Sequence, residues 1–181
     1  MNSLVREAVE SFYHQEDNLG YLLRCRRKIE LPSELLIFLN NHNINLQSHS
    51  IGDVWPSCKW TYDYEDYCKG EFRVSYSSVL MVSKLAPLFY LQHEFQVDNK
   101  DEQKMSPTLD GFDEQPYTQT QAELECIIKE TFSKLGYEQL SYKEMNEVVQ
   151  GLQFGDNVDF FGSQVTVEYA LFHDVLEVCP D

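Results

Sequence analysis

Histidine and cysteine are the side chains in this sequence best suited to metal, proton-transfer or nucleophilic chemistry, and there are five of each. His93-Glu94 supplies the first half of the His-Glu-x-x-His helix, in which two imidazoles one turn apart take zinc and the glutamate acts as base. The second imidazole belongs at position 97, which is Val97, and the flanking alternation is that of a strand. Cys25, Cys58, Cys68, Cys126 and Cys179 form no paired Cys-x-x-Cys, so a structural zinc site is not expected. Their odd number and scattered spacing, without an export signal, read as reduced thiols, several of them buried. His173 and Cys179 could approach each other, but two ligands without a third make no site. From Asp98 the third, fifth and sixth positions are Lys100, Glu102 and Gln103, which fails the calcium-loop pattern and its glycine. Nucleophile-elbow, phosphate-loop and dinucleotide-binding glycine motifs are all missing from the sequence. The expectation is a chain without catalytic residues, cofactor or metal, and not an enzyme.

Charge is more informative than motif. The sequence holds 30 Asp and Glu against 14 Lys and Arg, a formal net charge of −16. Nucleic acid is not expected as a direct partner, because binding it requires clustered cations. An anionic membrane surface is disfavoured on the same ground. A basic protein partner is favoured, since opposite fields steer encounter. Residues 1–48 are close to neutral, whereas beyond Lys143 there is no Lys or Arg at all. No run of about 18 apolar residues exists to span a membrane. The start, MNSLVREAVESF, carries charges inside its apolar pattern and lacks a signal-peptide core. A cytoplasmic protein, monomer or homodimer, is expected.

The elements that would position any site follow from periodicity. Leu4, Val5, Ala8, Val9 and Phe12 recur at helical spacing over Ser3 to Tyr13, with Ser3 as cap. A second helix is expected from Asp17 to Lys28. Its closing cations, Arg24, Arg26, Arg27 and Lys28, suit the negative end of a helix dipole. A third, short helix is expected with Pro32 at its first position and Asn40-Asn41 as its stop. Asn45 to Pro56 reads as loop. Trp60, Tyr62 and Tyr64 alternate with Thr61, Asp63 and Glu65, which predicts a strand with an acidic outer face. Glu71 to Asn99 gives two longer strands interrupted at Ala86-Pro87, close enough in sequence to be antiparallel. A helix is expected over Thr118 to Leu135, capped by Thr118 or by Thr120 with Glu123, and another over Ser141 to Gln150 that Gly151 stops. Gln164 to Phe172 alternates Val165, Val167, Tyr169 and Leu171 and reads as a last strand.

These elements predict one α+β domain over residues 1–181. Its mainly antiparallel sheet of about four to five strands packs against helices and follows an N-terminal helical segment. In order, the parts are a helical segment 1–48, strands 58–99, an acidic loop 100–116, helices 117–150 and a C-terminal strand 163–179.

A small, acidic, α+β chain without catalytic motifs, in which SKLAPLFYLQHEFQVDN leads through an acidic loop to a long helix, resembles the immunity proteins of bacterial toxin–immunity systems. The resemblance implies direct binding of a cognate toxin, often a basic nuclease, through a tight interface that blocks a positively charged active site. The acids that would form it are Asp63, Glu65 and Asp66 of the first strand region, Asp101, Glu102, Asp110, Asp113 and Glu114 of the loop, and Glu168 and Asp174 near the end. Two other functions fit the same sequence. One is a regulatory or scaffold module for a non-toxin protein, dimerising through a free sheet edge. The other is an unrecognised enzyme with a cleft lined by His93 or His173 and carboxylates.

Overall fold

The computed structural model describes residues 1–49, 54–107, 109–154 and 164–180. Helix α1, Ser3–Val9, is capped by Asn2, whose side chain accepts from the Leu4 N–H at 2.8 Å, so the cap lies one residue before Ser3. The chain then widens into a π-helical turn over Glu10–His14. Asp17 caps α2, Asn18–Cys25, through the Gly20 N–H at 2.9 Å. Helix α2 thus stops at Cys25, before Arg26, Arg27 and Lys28. Pro32 is the N-cap of α3, Ser33–Asn41, rather than its first helical residue.

Among the described residues, nine strands follow the helices or interleave with them. The main sheet runs in the order β1 (Asn45–His49), β2 (Ser57–Asp63), β4 (Phe72–Ser83), β5 (Leu88–Asn99), β6 (Leu109–Asp113), with every neighbour in that path antiparallel. Short β3, Tyr67–Lys69, adds to β4 beyond the end of β2, and β7, Glu138–Gln139, lies parallel to the start of β5. The sheet therefore has seven strands, more than the expected four to five. Much of the excess comes from β1, inside the segment read as loop, and from β6, inside the segment read as an acidic loop. Both are polar edge strands, and paired edges need no apolar alternation.

β4 and β5 form the spine of the sheet. Along β4, Val79 and Met81 enter one apolar core while Leu80 and Val82 enter the other. Along β5, Leu88 and Tyr90 go to the first core and Phe89 and Leu91 to the second. Burial on both faces erases the period of two, which is why Ser77 to Leu85 shows no clean alternation in sequence. The first core is completed by α1, the π-turn, α2 and the C-terminal region. The second is completed by α3 and by α4, Gln119–Lys134.

The capping of α4 falls to Thr118 with Gln121 and not to Thr120 with Glu123. The Ser141–Glu144 capping box is present as read, but its helix, α5, spans only Tyr142–Met145. Val148–Gln153 is strand β8, with Gly151 inside it at φ +85° beside an irregularity in its pairing with β9, Gln164–Thr166. That left-handed backbone marks a kink in a strand, where the sequence had suggested a helix stop. The expected C-terminal strand is overturned: only Gln164–Thr166 is strand, β9, and Val167–Phe172 is helix α6. Val167, Ala170 and Leu171 are buried together in the first core. Their i, i+3, i+4 spacing overrode the equally visible alternation of Val165, Val167, Tyr169 and Leu171. The Gly- and Asp-marked stretch 154–162 reads as a turn in the sequence and lies, apart from Phe154, outside the described residues.

Candidate functional site: the open half of the sheet

Among the described residues, one face of the sheet is covered along only half its length. The first core covers Val79, Met81, Leu88 and Tyr90, and beyond them the same face of β4 and β5 turns polar. Pairing sets one row straight across five strands: Asn45, Asp63, Ser77, Glu94 and Phe112. The next row places Ser75, Gln96 and Asp110 side by side. Asp63, Asp66, Ser75, Ser77, Glu94 and Asp110 line a wide groove of about 500 Å³.

Hydrogen bonds hold its carboxylates in place. The Gln47 amide donates to Asp63 Oδ2 at 2.6 Å and that of Asn45 to the same oxygen at 3.4 Å. Ser77 Oγ donates to Glu94 Oε2 at 3.1 Å, and Gln92 Nε2 donates to Glu94 Oε1 at 2.6 Å. Donors of this kind fix the direction of the carboxylates they bind. The cation at the rim, Arg73, is shared between Asp98 at 3.3 Å and Asp66 at 3.8 Å.

The acidic surface continues over the sheet edge. Asp113 ends β6, and the Tyr142 backbone N–H donates to Glu114 Oε1. That bond favours the ionised form, but desolvation, followed by the charges of Asp113 and Glu144, moves the Glu114 carboxyl above its ordinary value. Tyr90 is 2% exposed, and its hydroxyl has no hydrogen-bond partner among the described residues. Its phenol is held protonated by burial and then by the fields of Glu114 and Glu168. Phe112 and Tyr142 meet as a tilted pair, 5.7 Å between centroids at 59°, and are 53% and 49% exposed, so an aromatic pair stands among these carboxylates.

The ten acids singled out in the sequence are thus divided. Asp63, Asp66 and Asp110 meet in the groove, while Asp113, Glu114 and Glu168 lie outside its lining, near enough together for their charges to act on Tyr90. Glu65 does not join them. It lines a separate hollow with His42, Tyr67 and Thr118, because β2 ends at Asp63 and the alternation lapses there. Asp101 and Glu102 lie in the turn after β5, where Asp101 caps Gln103 N–H and lies 3.9 Å from Lys104 Nζ. Asp174 is held elsewhere, accepting from Tyr21 OH at 3.2 Å and from Cys179 N–H at 2.7 Å. The residue that sequence reasoning missed is Glu94, at the centre of the row. Its signal is the alternation of Gln92, Glu94 and Gln96 along β5, which sets the three on one face of the strand.

On the opposite face, Tyr64, Ser78 and His93 form a chain, Tyr64 OH to Ser78 Oγ at 2.9 Å and Ser78 Oγ to His93 Nδ1 at 2.8 Å. His93 is fully buried, its Nε2 lacks a partner among the described residues, and burial pushes its pKa down. It belongs to the layer between the sheet and α4, with Glu125, Lys129 and Asp113 as the charged groups around it. Among the described residues no cluster of three or more His, Cys, Asp or Glu is placed to hold a metal ion, and no helix is long and apolar enough to cross a membrane. Comparisons with protein-family models, with curated proteins and with solved structures gave no match for this chain.

Proposed function

We propose that this chain is an acidic protein-binding protein that neutralises a cognate bacterial toxin by direct contact, with the open half of the sheet as its docking face. The observation that carries the reading is the row Asp63, Ser77, Glu94, Phe112 on an uncovered half-face, with Asp66 and Asp110 beside it. A wide groove on a rigid sheet presents these carboxylates already oriented, and a basic loop or helix would pair with them at low ordering cost. Phe112 and Tyr142 supply the aromatic anchor that protein interfaces favour. The toxin would be a basic protein, such as a nuclease whose cationic active site the acidic face covers, met in the cytoplasm of the producing cell.

A second reading, a regulatory or scaffold module for a non-toxin protein, draws on β6. It is the terminal strand of the sheet path, and an incoming strand could extend the sheet there. One experiment separates the two. Open reading frames neighbouring this gene in its host are expressed with and without it, and the protein is used to capture basic partners at moderate salt. Rescue from a toxic neighbour, abolished by Glu94→Lys with Asp110→Lys, supports the immunity reading. Capture of a harmless partner selects the module, and absence of any retained basic partner rejects both.

A further inference from the structure

The molecule is electrically polarised, and its other pole is a second groove. From Ser77 in the acidic row, β4 runs six residues to Ser83, about 20 Å at about 3.3 Å per residue. Beyond Ser83 the hairpin to β5 turns through Lys84, Leu85, Ala86 and Pro87, and here a groove of about 490 Å³ opens between the hairpin, α1 and the chain leaving α2. Arg24, Arg27, Lys28 and Lys84 line it, with Glu7 as the carboxylate facing them. This is a concentration of positive charge on a chain of net charge −16.

Most of these cations are unspent. Lys84 Nζ donates to the Cys25 carbonyl at 2.8 Å. Arg24, Arg27 and Lys28 make no ion pair among the described residues, although the sequence offers more than twice as many acids as bases. Arg24 is half-buried, and Arg27 and Lys28 are exposed. A helix dipole accounts for Arg24 in the last turn of α2, whereas Arg27 and Lys28 lie past the last helical residue, Cys25. Tyr137 lines the same groove; burial and then Cys58 move its phenol above the ordinary value, while the charges of Arg27 and Arg24 act the other way. The rest of the lining is apolar, with Phe12, Leu85 and Pro87 among it. The distance to the acidic pole exceeds the Debye length of about 8 Å at physiological ionic strength, so the local field at this groove is set by its own cations.

We infer that this groove is a binding site for a small organic oxyanion, a phosphate or carboxylate carried on an apolar body. Arg24 and Arg27 take the anion in the planar two-donor geometry that guanidinium offers, with the Tyr137 hydroxyl as a further donor. The apolar lining takes the body. The groove falls within the size range of small-molecule pockets. Nothing in this assignment depends on the toxin-binding reading, since the two grooves lie at opposite ends of β4.

The test is titration of the full-length protein with phenyl phosphate, benzoate, inorganic phosphate and benzyl alcohol, followed by amide NMR. Phenyl phosphate or benzoate should give saturable shifts confined to Arg24–Ile29, Lys84–Ala86 and Tyr137, weakened by salt. Arg24→Gln with Arg27→Gln should lower affinity about tenfold or more. Should that pair disturb the native spectrum, Tyr137→Phe and Lys28→Gln, which each remove a single donor group, should each weaken binding severalfold. Inorganic phosphate should bind less tightly than phenyl phosphate, and benzyl alcohol should give no saturable shifts. The inference is overturned if neither aromatic anion saturates, if the arginine variants bind as well as the parent, or if benzyl alcohol binds equally. Equal affinity for inorganic and phenyl phosphate would overturn the apolar part of the assignment.

Discussion

Ser77 and Glu94 are direct partners across β4 and β5, and the Ser77 hydroxyl donates to the Glu94 carboxylate at 3.1 Å on the uncovered half of the sheet. With Gln92 on its other oxygen at 2.6 Å, Glu94 is the most firmly oriented carboxylate of the groove. Glu94→Gln keeps the side-chain shape and removes the charge. Its unfolding free energy should stay within about 1 kcal/mol of the parent, while retention of a basic partner falls about tenfold or more. Unchanged retention in a binding assay at low salt would take Glu94 out of the docking face.

Gln121 ties α4 to the back of the same strands. Its Oε1 accepts from the Tyr117 and Thr118 N–H groups at 2.9 and 3.1 Å, and its Nε2 donates to the Ser77 carbonyl at 2.9 Å. The side chain is fully buried. Gln121→Ala leaves these groups unpaired and dismantles the capping box, at a cost of about 2–4 kcal/mol. Urea denaturation reads this directly, and a loss below about 0.5 kcal/mol would show that the tie is redundant.

Gly111 lets β6 lie flat against β5. A Cβ there would come within 2.9 Å of Phe95 Cε1, and Phe95 is itself set edge-on to Tyr117 at 4.9 Å. Gly111→Ala should displace β6 and with it Asp110 and Asp113, weakening partner binding without any change of charge. Partner affinity equal to the parent's, with β6 amide exchange unaltered, would show that Phe95 yields at no cost.

His93 gives the fold an acid-sensitive layer. Burial holds its folded-state pKa below the ordinary histidine value, so as pH falls below about 6.5 the unfolded chain binds a proton that the folded chain refuses. Stability from this group is therefore full above that value and is lost progressively as pH falls toward the folded-state pKa. His93→Phe removes the titration and leaves Ser78 and Tyr64 bonded to each other. The thermal midpoint of the parent should drop between about pH 7 and pH 5 more steeply than that of the variant. Parallel pH profiles would count against His93 as the sensitive group.

Much of this architecture was legible in the residues. Trp60 and Tyr62 against Thr61 and Asp63 announced a half-buried strand, and that is β2. The stripe Leu124, Ile128 and Phe132 announced α4 and its buried face. Legibility failed where two periods fitted one segment, as in Val167 to Leu171, and where an edge strand carried no apolar face, as in β1 and β6. It also failed for the groove, because Asp63, Glu94 and Asp110 are distant in sequence and converge only through strand pairing.

By itself the sequence determined the α+β class, the excess of acid, the strands Glu71 to Asn99 that organise the sheet and most helix positions, since these follow from local periodicity, capping and composition. The tertiary structure alone decided which acids meet and where cations stand without partners. Register across β2, β4, β5 and β6 put Glu94 at the centre of an acidic half-face, and packing of α1 and α2 beside the β4–β5 hairpin gathered Arg24, Arg27 and Lys84 around a groove. A side chain's neighbours in space depend on long-range pairing, and local residue order does not encode that directly.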